Sequence, residues 1–305
     1  MKTPKHYFMC RASFEGANIG VWIGFKHLIY LMEEAIWDYF RSHNLSAKNI
    51  YFNYGGKISI RNSQIEIFKA VTSDDWLKIE VFPDEVDNKI KLLMFNANKE
   101  LMMRGVFTVT IDLCEKSKSS ITNDCNYEFI RPYIQQNAED KETSIAKIEK
   151  IPIDRIFALR YRASDLFVYQ QNIPYFYCGY SKYLGHSGLL RIVENIVDRF
   201  LEYKGLSIPK ILEEKGLIPI VTKCEISQWA SPLMGETLFS VFRIKEMYRD
   251  VIYVANIDFW VNKSNSLVYI GTCDITHGYA KIDSKGKAEL AIFDDYILKS
   301  LKDEF

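Results

Sequence analysis

Residues 24–46 read GFKHLIYLMEEAIWDYFRSHNLS, and residues 185–207, which lie 161 positions further along the chain, read GHSGLLRIVENIVDRFLEYKGLS. In both stretches the apolar residues follow the spacing i, i+3, i+4, i+7, i+8, i+11, i+12, which predicts a helix with one broad buried face. Both stretches begin with glycine, carry a glutamate at the same place (Glu33 and Glu194) and end in Leu-Ser. This agreement indicates that the chain repeats one structural unit through duplication.

The same order of elements surrounds both predicted helices. A strand comes first, at His6–Phe14 in the first half and at Arg155–Tyr161 and Phe167–Tyr169 in the second. A loop rich in glycine and aromatic residues, at 16–24 and 177–185, then leads into the helix. After each helix, alternating apolar residues with β-branched and aromatic enrichment predict a series of strands. These strands are Lys57–Arg61, Ser63–Val71, Trp76–Phe82, Lys89–Asn96 and Leu101–Asp112 in the first half, and Ile218–Trp229, Thr237–Lys245, Val251–Trp260 and Leu267–Ile275 in the second.

The strands repeat more loosely than the helices, with QIEIFKA at 64–70 opposite CEISQWA at 224–230. Residues 134–155 between the copies are charged and poor in large apolar side chains, which predicts an exposed linker. We therefore predict two α+β units, residues 1–133 and 156–305. One sheet around one helix leaves a sheet edge and a helix flank exposed, so we expect the two units to pair within the chain as a pseudo-dimer.

Composition excludes several classes of function. Lys+Arg and Asp+Glu are balanced at 39 each, so no bulk charge favours nucleic acid or an anionic membrane as a partner. The six cysteines lack CxxC spacing, and no pair of histidines has metal-ligand spacing, so we expect free thiols and no metal site. The first residues lack the apolar core of a signal peptide, and no apolar run approaches a membrane span. We therefore expect a cytoplasmic protein.

The order of strand, glycine-bearing turn, long helix and curled antiparallel sheet resembles the hotdog fold, and two such units in one chain resemble the double-hotdog arrangement. The second half carries the best local match, with Gly185-His186 at the helix start, Gly205-Leu206-Ser207 after the helix, and MGETL at 234–238 in a turn. These features are similar to acyl-CoA thioesterases of the 4-hydroxybenzoyl-CoA type, whose helix start often reads D-x-x-G-H. The resemblance covers residues 177–277 and, more weakly, residues 16–112.

The chain departs from that family pattern at the catalytic aspartate. Lys182 stands four positions before His186, where many such thioesterases carry the aspartate, and Val21 and Phe25 stand at the matching positions of the first half. Other members of the family use a glutamate on the central helix or an asparagine in the preceding loop. The residues at approximately these positions are Glu194, Glu33 and Asn18.

Three other activities remain open from the resemblance. Double-hotdog polyketide dehydratases pair a histidine from one half with an aspartate from the other, but their HxxxGxxxxP motif follows neither His27 nor His186. A further branch of the fold acts as an acyltransferase/decarboxylase on acyl thioesters. The missing aspartates also permit a non-catalytic module that binds an acyl chain or a carrier protein.

Hydrolysis of a thioester requires hydrogen-bond donors for the developing oxyanion and a base or nucleophile for the attack. Backbone amides at a helix start supply the donors, which places Gly185 and Ser187 in the predicted site, with Ser187 as the predicted helix cap. His186 is the first candidate for the base, and a carboxylate on the helix, Glu194 or Glu33, is the second.

Two residues of the aromatic loop complete the predicted site. The phenol of Tyr183 can donate to a carbonyl, and Lys182 can meet a phosphate of coenzyme A or of carrier-bound phosphopantetheine. The sequence thus predicts a hydrolase for acyl-CoA or acyl-carrier-protein substrates in polyketide or fatty-acid-type biosynthesis. It predicts no cofactor other than the coenzyme A or phosphopantetheine of the substrate itself, and it leaves association into larger oligomers open.

Overall fold

The computed structural model describes residues 5–84, 86–112, 127–134, 150–152, 166–264, 266–282 and 288–302, and the side chain of Asn18 is outside this description. The chain divides into two compact units, unit 1 (Met1–Ser144) and unit 2 (Ile145–Phe305). None of the helices in the described ranges combines the length and the hydropathy that crossing a lipid bilayer requires.

Unit 1 is built from a long helix and an antiparallel sheet. Its strands are β1 (His6–Cys10), β2 (Ala17–Ile19), β3 (Trp22–Ile23), β4 (Lys57–Ile67), β5 (Leu77–Pro83), β6 (Lys89–Asn96) and β7 (Leu101–Asp112), and its helices are α1 (Phe25–Ser42), α2 (Ala47–Tyr54) and α3 (Tyr127–Ile130). The main sheet has the order β1-β5-β6-β7-β4, and β2 and β3 form a separate hairpin.

Helix α1 packs its apolar stripe against β1, β5 and β6. Six of the seven residues predicted to form that stripe are buried, and Leu31 at its edge is half-buried. Each fully buried large apolar side chain stabilises the fold by about 1.5–3 kcal/mol relative to an exposed one, so this stripe is a main source of the stability of unit 1.

Unit 2 repeats this construction. Its strands are β8 (Lys150–Pro152), β9 (Phe167–Asn172), β10 (Leu217–Gln228), β11 (Thr237–Tyr248), β12 (Ile252–Lys263), β13 (Ser266–Ile282) and β14 (Ala288–Leu290), and its helices are α4 (His186–Tyr203), α5 (Ile208–Lys215) and α6 (Asp295–Lys302). The sheet has the order β10-β13-β12-β11-β9, with β8 and β14 added to β13. All seven residues of the predicted stripe on α4 are buried, and α4 packs against β9 and β11.

The long helix, the short helix after it and the five strands of the main sheet in unit 1 each have a counterpart in unit 2. Helix α4 begins and ends 161 positions after α1, and α5 begins and ends 161 positions after α2. The β-bulge of β4 lies between Ile60 and Asn62, and that of β10 lies between Val221 and Lys223, again 161 positions later. A bulge changes which side chains face the helix, so its retention preserves the same inward face in both sheets.

The structure corrects three of the strand boundaries that the sequence pattern predicts. The two strands predicted at Lys57–Arg61 and Ser63–Val71 form one strand, because the polar residues at the break sit in a bulge that keeps the ladder continuous. The strand predicted at His6–Phe14 ends at Cys10, where its partner strand β5 begins at Leu77. The strand predicted at Leu267–Ile275 continues to Ile282, because the start of β10 pairs with it that far.

The predicted linker also contains structure. Lys150–Pro152, at its C-terminal side, forms β8 and pairs with Ser266–Val268 of β13. The edge of β13 is open at this point because β10 ends opposite Gly271, and β8 supplies the missing hydrogen-bond partners. The strand predicted at Arg155–Tyr161 lies outside the described residues.

Candidate active site at the start of the second long helix

The start of α4 is held by the turn between β10 and β11. The amide of Leu184 donates to the Pro232 carbonyl at 2.8 Å, and the amide of Met234 donates to the Lys182 carbonyl at 2.9 Å. These two bonds fix the loop immediately before the helix, because they tie both Lys182 and Leu184 to the same turn.

Unit 1 contains the same pair of bonds. The amide of Ile23 donates to the Val71 carbonyl at 2.9 Å, and the amide of Ser73 donates to the Val21 carbonyl at 3.1 Å. All four positions differ from those of unit 2 by 161. The backbone of the helix start is therefore a repeated feature of the chain, and any chemical difference between the units comes from side chains.

A carboxylate closes the supporting turn in each unit. Asp75 accepts from the Thr72 amide at 2.7 Å, and Glu236 accepts from the Leu233 amide at 2.8 Å. The side chains of aspartate and glutamate differ in length, but in both units the bonded amide lies three residues before the acid. The carboxylate of Glu236 therefore has a structural role in this turn.

The loop before the long helix contacts its first turn in both units, and a glycine lies at this contact, on the helix in unit 2 and on the loop in unit 1. In unit 2, a β-carbon on Gly188 of α4 would lie 2.1 Å from the Tyr177 carbonyl oxygen, so only glycine fits on the helix. In unit 1, the matching helix residue is His27 and the loop carries Gly16, where a β-carbon would lie 3.1 Å from the His27 side chain. Gly188 therefore lets the loop backbone approach the first turn of α4 closely.

The cap of α4 is Gly185, which has extended backbone angles and supplies no side-chain hydrogen bond to the helix. The prediction that Ser187 caps the helix is wrong, because the helix already begins at His186 and Ser187 lies inside its first turn. A cap without a side chain does not itself supply an acceptor to the first-turn amides, and the helix dipole favours a negatively charged acceptor at this end.

His186 is the first residue of α4 and is 5% exposed. Glu194 lies on the same helix and is half-buried. Eight residues of helix separate them, which corresponds to about 12 Å along the axis. The structure therefore places His186 beside the helix-start amides and does not bring Glu194 to the same point of unit 2.

A buried glutamine near the helix start was not predicted. The carboxamide of Gln228 donates to the carbonyls of Leu184 at 3.4 Å and Ala230 at 3.2 Å, and so links the end of β10 to the loop before α4. The 161-residue offset of the two sheets places Ile67 of β4 at the position of Gln228, so the alignment of segments 64–70 and 224–230 is one residue out of register. This exchange of an apolar for a polar residue is the signal that could have found it.

The aromatic loop divides into two parts. Tyr183 is half-buried and pairs with the supporting turn, while Lys182 is exposed, with its ammonium 5.5 Å from the Tyr183 ring centre. Tyr175 and Phe176 are 74% and 58% exposed. The predicted substrate-binding pair Tyr183 and Lys182 thus lies at the helix start, and the other two rings face solvent.

The candidates of unit 1 are placed differently. Glu33 is buried in the middle of α1, and Phe25 occupies the position that corresponds to His186. Asn18 belongs to β2, and its side chain lies outside the described part of the structure, so its predicted role stays a prediction.

Burial suppresses the reactivity of two of the described cysteines. Cys10, Cys178, Cys224 and Cys273 are free thiols, and burial raises the pKa of Cys10 to about 11 and the pKa of Cys273 well above its usual range. Such thiols stay protonated and are poor nucleophiles. Across the described ranges, no group of three or more histidine, cysteine, aspartate or glutamate side chains is arranged to hold a metal ion.

Comparison with solved structures identifies the architecture. An enzyme described as an oleoyl thioesterase from Lactobacillus plantarum superposes with a TM-score of 0.60 at 9% identity, and the match covers 90% of this chain and 95% of that one. An acyl-ACP thioesterase from Bacteroides thetaiotaomicron VPI-5482 matches with a TM-score of 0.52 at 10% identity, over 90% and 97% of the two chains. The chain has the hotdog fold of these thioesterases.

A third structure supports the same assignment of the fold. The 12:0-ACP thioesterase from Umbellularia californica matches with a TM-score of 0.55 at 10% identity, over 89% of this chain and 93% of that one. No protein-family model matches the sequence, and no curated protein matches it. The resemblance to hotdog thioesterases that the sequence suggests is therefore confirmed through the fold.

Proposed function

We propose that the protein consists of two tandem hotdog units that arose by duplication, and that it hydrolyses an acyl thioester of coenzyme A or of an acyl carrier protein. The observation that carries this proposal is the position of His186, a buried imidazole at a helix start whose cap has no side chain. The likeness to thioesterase structures of similar length supports the choice of substrate class.

The helix start provides the groups that hydrolysis needs. The thioester carbonyl oxygen accepts hydrogen bonds from the first-turn amides of α4, which stabilise the negative charge that develops on this oxygen. The imidazole of His186 takes a proton from a water molecule while the water oxygen attacks the carbonyl carbon. The tetrahedral intermediate then collapses, the carbon–sulfur bond breaks, and the proton held by His186 passes to the leaving thiolate.

Unit 1 has the same backbone without the imidazole. Phe25 at the matching position neither accepts nor donates a proton, so the proposal assigns the chemistry to unit 2. The other predicted site residues stay candidates for binding or assisting the substrate: Glu194, Glu33, Gly185, Ser187, Tyr183, Lys182 and Asn18.

A second candidate function is binding without turnover. It is favoured by Lys182, which stands where many relatives of this fold type carry the catalytic aspartate. A binding module would hold the acyl thioester at the same helix start, and the bound thioester would remain intact.

The experiment is a thiol-release assay with acyl-CoA and acyl-carrier-protein substrates, beginning with lauroyl and oleoyl groups and extending to aroyl groups. We expect His186→Ala to lower kcat/KM by about 100-fold, the usual contribution of a general base. Phe25→Ala is the matched control in unit 1 and is expected to stay within a few-fold of the unaltered protein. Glu194→Gln and Glu33→Gln test whether a carboxylate takes part.

The outcomes separate the candidates. Loss of release in a folded His186→Ala variant, with Phe25→Ala active, supports hydrolysis in unit 2. Equal activity of the His186→Ala and unaltered proteins contradicts the role of this histidine. If no substrate releases thiol, mass spectrometry of the recovered thioester distinguishes intact ligand, which indicates binding, from a dehydrated or decarboxylated product.

A further inference from the structure

Three polar rings lie together in the interior of unit 2. Tyr253 of β12 stands directly opposite His277 of β13 in the strand register, and the two rings stack with centres 5.6 Å apart and planes inclined by 15°. Tyr279 lies two residues after His277 and therefore on the same face of the sheet. All three side chains are at least 95% buried, and we refer to them as the ring cluster.

The two phenols of the ring cluster lack the hydrogen bonds that buried hydroxyls normally make. Among the described residues, no atom bonds to the hydroxyl of Tyr253 or to that of Tyr279. Buried polar groups in proteins nearly always have a partner, in the protein or in an ordered water molecule, because an unpaired one loses its hydration without compensation. Two such hydroxyls on one face indicate that a partner other than the described residues completes them.

The ring cluster is uncharged at neutral pH. Burial raises the pKa of both phenols, so each keeps its O–H group, and burial lowers the pKa of His277 to about 4, so the imidazole is neutral. A charged guest is disfavoured in this surrounding, because no ring carries the opposite charge. The groups available are two O–H donors, which can also accept, and a neutral imidazole.

Unit 1 shows that the fold does not require polar rings here. The strand register places Val109 at the position of His277 and Ile111 at the position of Tyr279, and both are buried apolar residues. The duplicated sheet thus packs with aliphatic side chains in one copy. The polar substitutions of unit 2 add donors and acceptors that its own interior does not use.

The C-terminal segment closes the ring cluster from one side. Phe293 contacts the rings of Tyr253 and Tyr279 with ring centres 6.4 and 5.9 Å apart, and it is itself buried. Its amide donates to the Asp250 carbonyl at 2.6 Å, and the Ala291 amide donates to the Tyr279 carbonyl at 2.9 Å. A guest at the ring cluster is therefore shielded from bulk solvent by this segment.

We propose that the ring cluster is a binding site for a small neutral oxygen-bearing guest, whose oxygen bonds the hydroxyls of Tyr253 and Tyr279. Water has this chemistry, and so does the hydroxyl or carbonyl oxygen of a small organic molecule. The site lies apart from the start of α4, and its occupancy does not depend on thioester hydrolysis.

The test is whether removal of each phenol hydroxyl lowers or raises the melting temperature. We expect Tyr253→Phe and Tyr279→Phe each to lower the melting temperature by about 2–4 °C, because each leaves the guest with one bond fewer. If the site holds no guest, removal of an unpaired hydroxyl raises the melting temperature instead. Tyr203→Phe, at a tyrosine that is exposed on α4, is the matched control and is expected to change it little.

A second measurement needs no variant. A high-resolution crystal structure of the unaltered protein should show ordered density within hydrogen-bond distance of both hydroxyls, and mass spectrometry of a solvent extract separates the sources. A stoichiometric organic molecule in the extract identifies an organic guest, and density without such a molecule identifies water. Absence of density, or unchanged or raised melting temperatures for both variants, overturns the proposal.

Discussion

The starts of the two long helices share one backbone and differ in their side chains. The same two amide–carbonyl bonds hold each helix start to its supporting turn. In each turn a carboxylate, Asp75 or Glu236, accepts a hydrogen bond from the amide three residues before it. On this common frame unit 2 carries His186, while unit 1 carries Phe25. The difference teaches that the two units share the scaffold of the site and differ in the groups that can perform chemistry.

The largest expected difference between the units concerns the contact of loop and helix. Gly188→Ala places a β-carbon against the Tyr177 carbonyl, and we expect a loss of about 3 kcal/mol in the free energy of unfolding, the upper end for overpacking. At Gly16 a β-carbon would lie 3.1 Å from Cβ and Cγ of His27 and 3.4 Å from Cγ2 of Ile23, which is a milder overlap, so we expect Gly16→Ala to cause less than half of that loss. Urea denaturation of both variants measures the difference, and equal losses would contradict the closer approach in unit 2.

The next difference is the response of unit 2 to acid. His277 has a pKa of about 4 when buried and 6.5 in its ordinary state, so the unfolded chain binds a proton at a higher pH than the folded chain does. Stability is then highest above pH 6.5 and falls as the pH drops towards 4, by about 3 kcal/mol in total. Below pH 4 this residue adds no further change.

The variant His277→Val, which installs the residue of unit 1, should reduce that decline. Tyr253 and Tyr279 face the imidazole and stay protonated throughout this range, so they do not contribute to it. The measurement is denaturant unfolding of both proteins between pH 7 and pH 4 at constant ionic strength. Parallel curves for the variant and the unaltered protein would assign the decline to other groups.

A smaller difference concerns the buried amide of unit 2. Gln228→Met keeps the approximate volume and removes the donors to the carbonyls of Leu184 and Ala230, so we expect a loss of about 1–2 kcal/mol in stability. Ile67→Met, at the matching position of unit 1, removes no hydrogen bond and changes a half-buried side chain, so its effect should be smaller. Thermal unfolding of both variants provides the comparison, and a larger loss at Ile67 would reverse it.

The smallest expected difference lies at the caps of the two short helices. Ser46 accepts a hydrogen bond from the Asn49 amide at 3.1 Å at the start of α2, whereas Ser207, 161 positions later, makes no side-chain cap at the start of α5. We expect Ser46→Ala to cost about 1 kcal/mol and Ser207→Ala only a few tenths. Similar losses at both positions in chemical denaturation would show that the cap of α2 contributes little.

The sequence predicted the parts of the fold that depend on periodicity. The stripes of α1 and α4 and the strands Lys89–Asn96 and Leu101–Asp112 agree with the structure, because alternation and helical spacing record which face is buried. The pattern predicts a break where β4 has its bulge, since a bulge depends on the register of the partner strand. It predicts a linker where β8 forms, since this strand depends on the open edge of β13.

The start of α4 was predictable in position and less so in detail. The repeat and the glycine before the helix predict that α4 begins after Gly185, while the choice of His186 rests on the resemblance to the thioesterases. The cap was placed at Ser187 rather than Gly185, because a serine near a helix start predicts a cap without showing where the backbone turns. Gly188 was overlooked, since the close approach of the Tyr177 carbonyl is a tertiary contact that leaves no local pattern.

The opposed glycines make the loop and the helix start of each unit a matched pair. Large residues on both sides of this contact would collide, because a β-carbon at Gly188 meets a backbone carbonyl and one at Gly16 meets a histidine. A chimaera that carries the helix start of unit 1 behind the loop of unit 2 would therefore place His27 against Tyr177 and misfit, whereas the reverse chimaera would place glycine on both sides and lose only about 1 kcal/mol for glycine inside a helix.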